Sequence, residues 1–188
     1  MAILHAATIT PTKPELLASW LGGPVEVVAS YRFDDPAGEV GVEAFVVRYD
    51  DRLRHVVLTY RGAPLPETGP GADDARMVGA MEHSVLGRRW VYDGTTDPVA
   101  VDCFRRAVLG DQHQAVLEVW KDGELVATRE PTARLHSTAP TATTPPVPAD
   151  ATLRIVRDLG EPLPDPALVV AWDGGEAAVA TLGVRAAR

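Results

Sequence analysis

Residues 83–98 read HSVLGRRWVYDGTTDP, which places a histidine, two arginines, two aspartates, a Trp and a Tyr within sixteen positions. Three chemistries could use such a stretch. A nucleophilic reading would pair His83 with Ser84. Adjacent residues on a strand point to opposite faces, however, and H-S-V-L-G is not the G-x-S-x-G elbow that lifts a serine above a sheet. A metal reading would need partners at ligand spacing. His5, His55, His83, His113 and His136 are scattered, with no H-x-x-x-H pair and no cysteine nearby, so no metal site is expected. Phosphoryl transfer needs a phosphate-gripping cation, a catalytic Asp and metal-binding groups. The chain has no G-x-x-x-x-G-K-[ST], and its GPG at 69–71 runs into acidic Asp73 and Asp74. Of the two lysines, Lys13 opens a helix and Lys121 falls in a hairpin turn. Glycoside hydrolysis needs two opposed carboxylates, and among 26 acidic residues no pair stands out. No catalytic residue and no cofactor are expected.

A recognition surface remains. On a strand Arg88, Trp90 and Tyr92 share one face, while Arg89, Val91 and Asp93 share the other. An arginine beside two aromatics has the composition of an interaction surface, and these three are the candidate site. The plainer reading is a half-exposed strand whose aromatics cover a neighbouring helix.

The elements that hold this stretch are legible from spacing. Thr12 and Glu15 have capping-box spacing ahead of Leu16, Leu17, Trp20 and Leu21, and Gly22–Gly23 ends that helix. Strands are expected at 24–33, 39–49 and 53–61, the last two joined at Asp50–Asp51–Arg52, with one face polar and one on the core. Residues 62–75 form a Pro/Gly-rich loop. Two strands interrupted near Gly87 lead to Asp97, which caps a second helix with Pro98 in its first turn; Val101, Phe104 and Val108 mark its buried face, Cys103 lies within it as a small buried hydrophobe, and Gly110 stops it. Trp20 and Phe104 are expected to be buried against the sheet. A hairpin spans 114–130, turning at Lys121–Asp122–Gly123. Three apolar strands follow within 151–188, turning at Asp173–Gly174–Gly175. LEVWKDGELVAT (117–128) echoes VVAWDGGEAAVAT (169–181), an echo that hairpin rules alone produce.

These elements give an α+β protein with a curved, mainly antiparallel sheet on one or two short helices. Residues 1–136 are expected to form the main domain, 137–150 a Pro/Thr/Ala-rich linker, and 151–188 a β segment too small to fold alone that docks on the main domain, extending its sheet or covering an edge. A net charge of −8 disfavours nucleic acid. No apolar run is long enough to span a bilayer and the N-terminus has no basic n-region, so a cytoplasmic protein without membrane contact is expected. Sixteen arginines against two lysines, with abundant Ala, Gly, Pro and Val, suggest a GC-rich bacterial genome.

HVVLTYRGAPL (55–65) and GAMEHSVLGRRWVYDGTTDPVAVDCFRRAVLGD (79–111) resemble the N-terminal cap subdomain of actinobacterial maltokinases. The positions that carry the resemblance are Tyr60, Arg61, Leu86, Gly87, Val91, Tyr92, Asp93, Asp97 and Pro98, with ELLASWL (15–21) as the helix near the cap's start. It spans roughly residues 13–111. It implies a curved antiparallel sheet on a helix, topologically similar to cystatins, without phosphotransfer machinery of its own. The sequence has no H-G-D-x-H-x-x-N loop and no later magnesium-binding Asp. The expectation is therefore a non-catalytic, stand-alone cap-like module that binds or regulates a protein partner, such as an enzyme of α-glucan metabolism, in a trehalose, maltose or glycogen context. The alternative is a small-molecule carrier with a pocket between curved sheet and helix, which a cavity lined by inward-facing strand residues would mark. An enzyme of another type would show clustered titratable groups in a deep cleft.

Overall fold

The computed structural model describes residues 2–5, 7–66, 76–121, 124–139 and 151–183. After β1 (Ala2–His5) and β2 (Ile9–Thr10), helix α1 (Lys13–Leu21) starts on a complete capping box, with the Thr12 hydroxyl accepting from the Glu15 amide and the Glu15 carboxylate accepting from the Thr12 amide. Gly22 closes it in the left-handed conformation, as the Gly-Gly pair implied. Strands β3 (Glu26–Phe33), β4 (Val40–Tyr49) and β5 (Arg52–Arg61) form an antiparallel meander. The β4–β5 turn consists of Asp50 and Asp51, both at positive φ, and aspartate tolerates the left-handed geometry that a tight two-residue hairpin requires.

Strands β6 (Met77–His83) and β7 (Gly87–Asp93) complete a six-stranded antiparallel sheet in the order β2-β6-β7-β5-β4-β3. The interruption expected near Gly87 is a turn over residues 84–86, with Gly87 at φ 70. Helix α2 (Pro98–Leu109) follows, capped by Asp97 and stopped by Gly110. Then come β8 (Leu117–Lys121), β9 (Glu124–Arg129), β10 (Ala133–Ser137), β11 (Thr152–Ile155), β12 (Ala167–Trp172) and β13 (Gly175–Gly183). Strands β8 and β9 pair antiparallel and β1 joins β8 in parallel; β10–β13 form a four-stranded antiparallel sheet in the order β10-β12-β13-β11. The architecture is α+β and mainly antiparallel.

Helix α2 explains the layering. Ala100, Cys103, Phe104, Ala107 and Val108 are all buried, a stripe of i, i+3, i+4, i+7, i+8 spacing. One cluster gathers them with Tyr31, Phe33, Val42, Ala44, Val46 and Val57 of the large sheet and with Leu168, Val170, Val179, Ala180 and Leu182 of the C-terminal sheet. The helix is thus packed between two sheets. Phe104 meets Phe33 edge-on at 5.2 Å and Tyr31 at 6.4 Å between ring centroids. The expected stripe was one residue out of phase at its start, since Ala100 is fully buried and Val101 only half-buried.

A second cluster, formed by Leu16, Leu17, Phe45, Val47, Val56, Leu58, Met81 and Val91, covers the opposite face of the large sheet. The expectation of one polar face is therefore corrected: both faces of β4 and β5 are covered over most of their length, which explains the near-continuous apolar runs AFVV and HVVL. Trp20 is also corrected. Leu16 and Leu17 carry the buried side of α1, and Trp20 lies half-buried at its rim beneath Arg157, whose guanidinium carbon is 5.6 Å from the ring centroid.

Ser137, expected in the linker, ends β10, and residues 140–150 lie outside the described residues. The last strands build a sheet of their own across α2 rather than extending the large one. Between β11 and β12, residues 157–159 line the edge of β5. The His55 amide donates to the Arg157 carbonyl at 2.7 Å and the Leu159 amide to the Leu53 carbonyl at 3.1 Å. This edge is open to them because β7 pairs with β5 only from Leu58 onward.

Phe104→Ala empties the site where α2 meets both sheets. It should lower stability by about 3–5 kcal/mol, read as a fall in the urea midpoint. Coincident midpoints would show that α2 does not dock in this way.

Candidate functional site

The polar end of the dense stretch forms a knot at the start of α2. Asp97 is fully buried and uses both carboxylate oxygens. Its Oδ1 accepts from the Val99 amide at 2.9 Å, which caps the helix, and from Arg61 Nη2 at 2.7 Å; its Oδ2 accepts from the Thr59 hydroxyl at 2.7 Å and Arg61 Nε at 2.8 Å. Burial pushes the Asp97 pKa up, but the bonds from Arg61 and Thr59 outweigh it and hold the carboxyl below its ordinary value. Arg61 is correspondingly raised, first by its bond to Asp97. Asp93, equally buried, accepts from the Thr95 amide and hydroxyl on one oxygen and from Arg157 on the other. Gly94 between them has no room for a side chain: a Cβ there would stand 2.4 Å from Val57 Cγ1. In D-G-T-T-D-P each polar group is thus already bonded within the fold.

Three contacts escaped the sequence reading. His55 is buried among Tyr31, Phe104 and Val156. Its Nδ1 lies 3.0 Å from the Val156 carbonyl, which can only accept, so Nδ1 carries the proton and Nε2 accepts from the Tyr31 hydroxyl at 2.7 Å. Burial drives the imidazole pKa down to about 4. Arg157 bonds Asp93 and Thr95, tying the segment after β11 to the turn before α2. Lys13 donates to buried Glu43 at 2.8 Å, with the Tyr60 ring 5.8 Å from its ammonium. The signal for His55 was its phase: Leu53, His55, Val57 and Thr59 alternate inward along β5, so a histidine in that register had to be buried.

The candidate surface divides. Arg88 is exposed, lies 5.6 Å from the Trp90 ring centroid and reaches Glu82 at 3.9 Å. Trp90 is half-buried. Tyr92 is buried, and its hydroxyl accepts from the Leu65 amide at 2.9 Å, so it pins the loop after β5 rather than offering a ring to a partner. Beside Arg88 and Trp90, the turn between β6 and β7 exposes Val85 and Leu86. His83 and Ser84 do not form a couple. His83 Nδ1 accepts from the Val85 and Leu86 amides at 3.3 and 3.1 Å, and Ser84 Oγ accepts from the Thr8 amide at 3.0 Å. Cys103 is buried, and that burial pushes its thiol pKa up. Among the described residues no three His, Cys, Asp or Glu side chains stand together as a metal-holding group, and no helix is long and apolar enough to cross a membrane.

This geometry coincides with a family model. Residues 18–97 match the maltokinase N-terminal cap domain. The resemblance carried by Tyr60, Arg61, Gly87, Tyr92, Asp93 and Asp97 is to that domain, and the matched segment runs from within α1 to the residue that caps α2. No curated protein and no solved structure matches the chain. The cap signature is physically intelligible: Asp97 and Arg61 lock the helix start to β5, Gly94 admits the turn against Val57, and Tyr92 holds the loop after β5. These side chains hold the matched segment to the start of α2.

Asp97→Ala removes the helix cap and strands Arg61 in a largely buried setting. The expected loss is about 3 kcal/mol or more, measured by urea denaturation. For His55 the folded pKa lies below the unfolded one. Its neutral form therefore contributes full stability above about pH 6.5, and that contribution drains away as the pH falls toward about 4. Over this window the wild type should lose about 3 kcal/mol more than His55→Gln. Parallel pH profiles for the two proteins would contradict the buried neutral imidazole.

Proposed function

We propose that the chain acts as a non-catalytic cap-like module that binds and regulates a protein partner, within the trehalose, maltose and glycogen context that the maltokinase name brings with it. The carrying observation is how the dense polar stretch is used. Asp93, Asp97, Thr59 and Arg61 are consumed in bonds that fix α2, leaving no unpaired acid, base or nucleophile in the matched segment's polar knot. The partner surface is the β6–β7 hairpin, where exposed Arg88, Val85 and Leu86 and half-exposed Trp90 supply the arginine and aromatic anchors common at binding hot spots. The filled interior favours this reading over a carrier, because Tyr31, Phe33 and Phe104 pack edge to face where a carrier's ligand would lie between sheet and helix.

The module should not transfer or hydrolyse the terminal phosphate of ATP. Incubation of the full chain with millimolar magnesium ATP and maltose is expected to release no ADP above the protein-free blank, and turnover would overturn the non-catalytic reading. A partner recovered from the native host should be an enzyme acting on an α-glucan or its oligosaccharides. Its affinity for purified Trp90→Ala should fall at least about tenfold, while the thermal midpoint moves little. Retained affinity would remove the hairpin from the interface.

A further inference from the structure

The C-terminal segment creates a cleft that the matched cap alone could not contain. One wall is the tip of the β4–β5 hairpin, with Arg48, Asp51, Arg52 and Leu53; the other is the end of β11 and the chain after it, with Arg154, Ile155, Arg157 and Leu159. The cleft is open to solvent on one side, and its volume is about 840 Å³, within the range of small-molecule sites.

The charge in this cleft runs against the rest of the molecule. The chain carries −8 overall, yet the cleft is lined by four arginines and three carboxylates. Of those carboxylates, Asp158 already faces Arg54, 3.6 Å away on the adjoining strand. Of the arginines, Arg157 is committed to Asp93 and Thr95. Arg48 holds only an exposed pair with Glu26 at 3.3 Å, a type worth little in water. Arg52 and Arg154 have no carboxylate partner among the described residues and are exposed. Three guanidiniums therefore remain available, and each can grip a phosphate or carboxylate through two parallel N–H donors. Asp51 and Glu161 at the rim can accept from hydroxyl groups on the same molecule, and Leu53, Ile155 and Leu159 offer apolar surface beneath.

We propose that this cleft binds a small organic anion, with its phosphate or carboxylate groups on Arg48, Arg52 and Arg154 and its carbon body against Leu53 and Leu159. The site stands apart from the β6–β7 partner surface, so its ligand and the protein partner can be tested separately. A ligand there touches both the cap's central hairpin and the segment that crosses to the C-terminal sheet.

The test is calorimetric titration of the full chain with pyrophosphate and, separately, with citrate. At least one probe should bind saturably near one equivalent, weaken as sodium chloride is raised, and identify which anionic group the cleft takes. Arg52→Ala/Arg154→Ala should weaken that binding at least about tenfold, whereas Arg129→Ala/Arg134→Ala, on β9 and β10, should leave it unchanged. Arg52→Lys/Arg154→Lys keeps the charge but loses the fork, so it should bind with intermediate affinity and serves if the alanine pair destabilises the fold. If neither probe saturates, or if the cleft pair and the control pair bind like the wild type, the proposal fails.

Discussion

Helix α2 must be buried on two sides at once, and the arrangement of the molecule follows from that requirement. Ala100, Cys103, Phe104, Ala107 and Val108 make a stripe wide enough to touch both the large sheet and the C-terminal sheet. A helix so placed has little freedom to shift, because sliding along one sheet would unpack it from the other. Its start must therefore be fixed precisely in space. Asp97 does this by capping the helix while its carboxylate is gripped by Thr59 and Arg61 of β5. The local rule that aspartate caps helices and the tertiary need to anchor one helix end are met by the same side chain.

From this constraint it follows that the family-matched segment is not a closed physical unit here. Residues 18–97 end at the cap of α2, yet Tyr31, Phe33, Val42, Ala44 and Val46 within them pack against a helix and a sheet that lie beyond Asp97. Without those later elements, one whole face of the large sheet would be bare. The dependence is reciprocal: residues 157–159 complete the edge of β5, Val156 accepts the His55 ring proton, and Arg157 reaches Asp93 and the Trp20 ring. Buried polar ties of this kind do little to raise stability over an apolar core, but they penalise any other seating of the segment, because each would leave a buried donor or acceptor unpaired.

How much of this was legible depended on the range of the interaction. Capping boxes, the Asp-Asp turn and the glycine stops are local, and Thr12, Glu15, Asp97, Gly22 and Gly110 stand where their types implied. Periodicity located Phe104 and Val108 but misplaced Val101, since a phase error of one residue is easily made in a stretch as small-residue-rich as PVAVDC. Double coverage of the large sheet was written in AFVV and HVVL, yet it reads as one-sided until α1 is known to lie opposite α2. Arg88, Trp90 and Tyr92 alternate as a strand should, and only the loop contact through Leu65 separates buried Tyr92 from its two neighbours. The burial of His55 was readable from its phase on β5, but its bond to Val156 and that of Arg157 to Asp93 were beyond reach, because those partners lie 101 and 64 residues away.

Placing charge at a junction between segments has a further physical consequence. Arginines line both the β4–β5 tip and the end of β11 in an acidic protein that could have matched each with a carboxylate. Asp158 and Asp93 do so for Arg54 and Arg157, but nothing does so for Arg52 and Arg154. Exposed arginines without a carboxylate partner contribute little to the folded structure. An anion held by both would form a bridge between the hairpin and the C-terminal segment. The same two walls are joined through Val156 to His55 and through Arg157 to the start of α2. A ligand in the cleft would therefore tighten the connection on which the seating of the central helix depends.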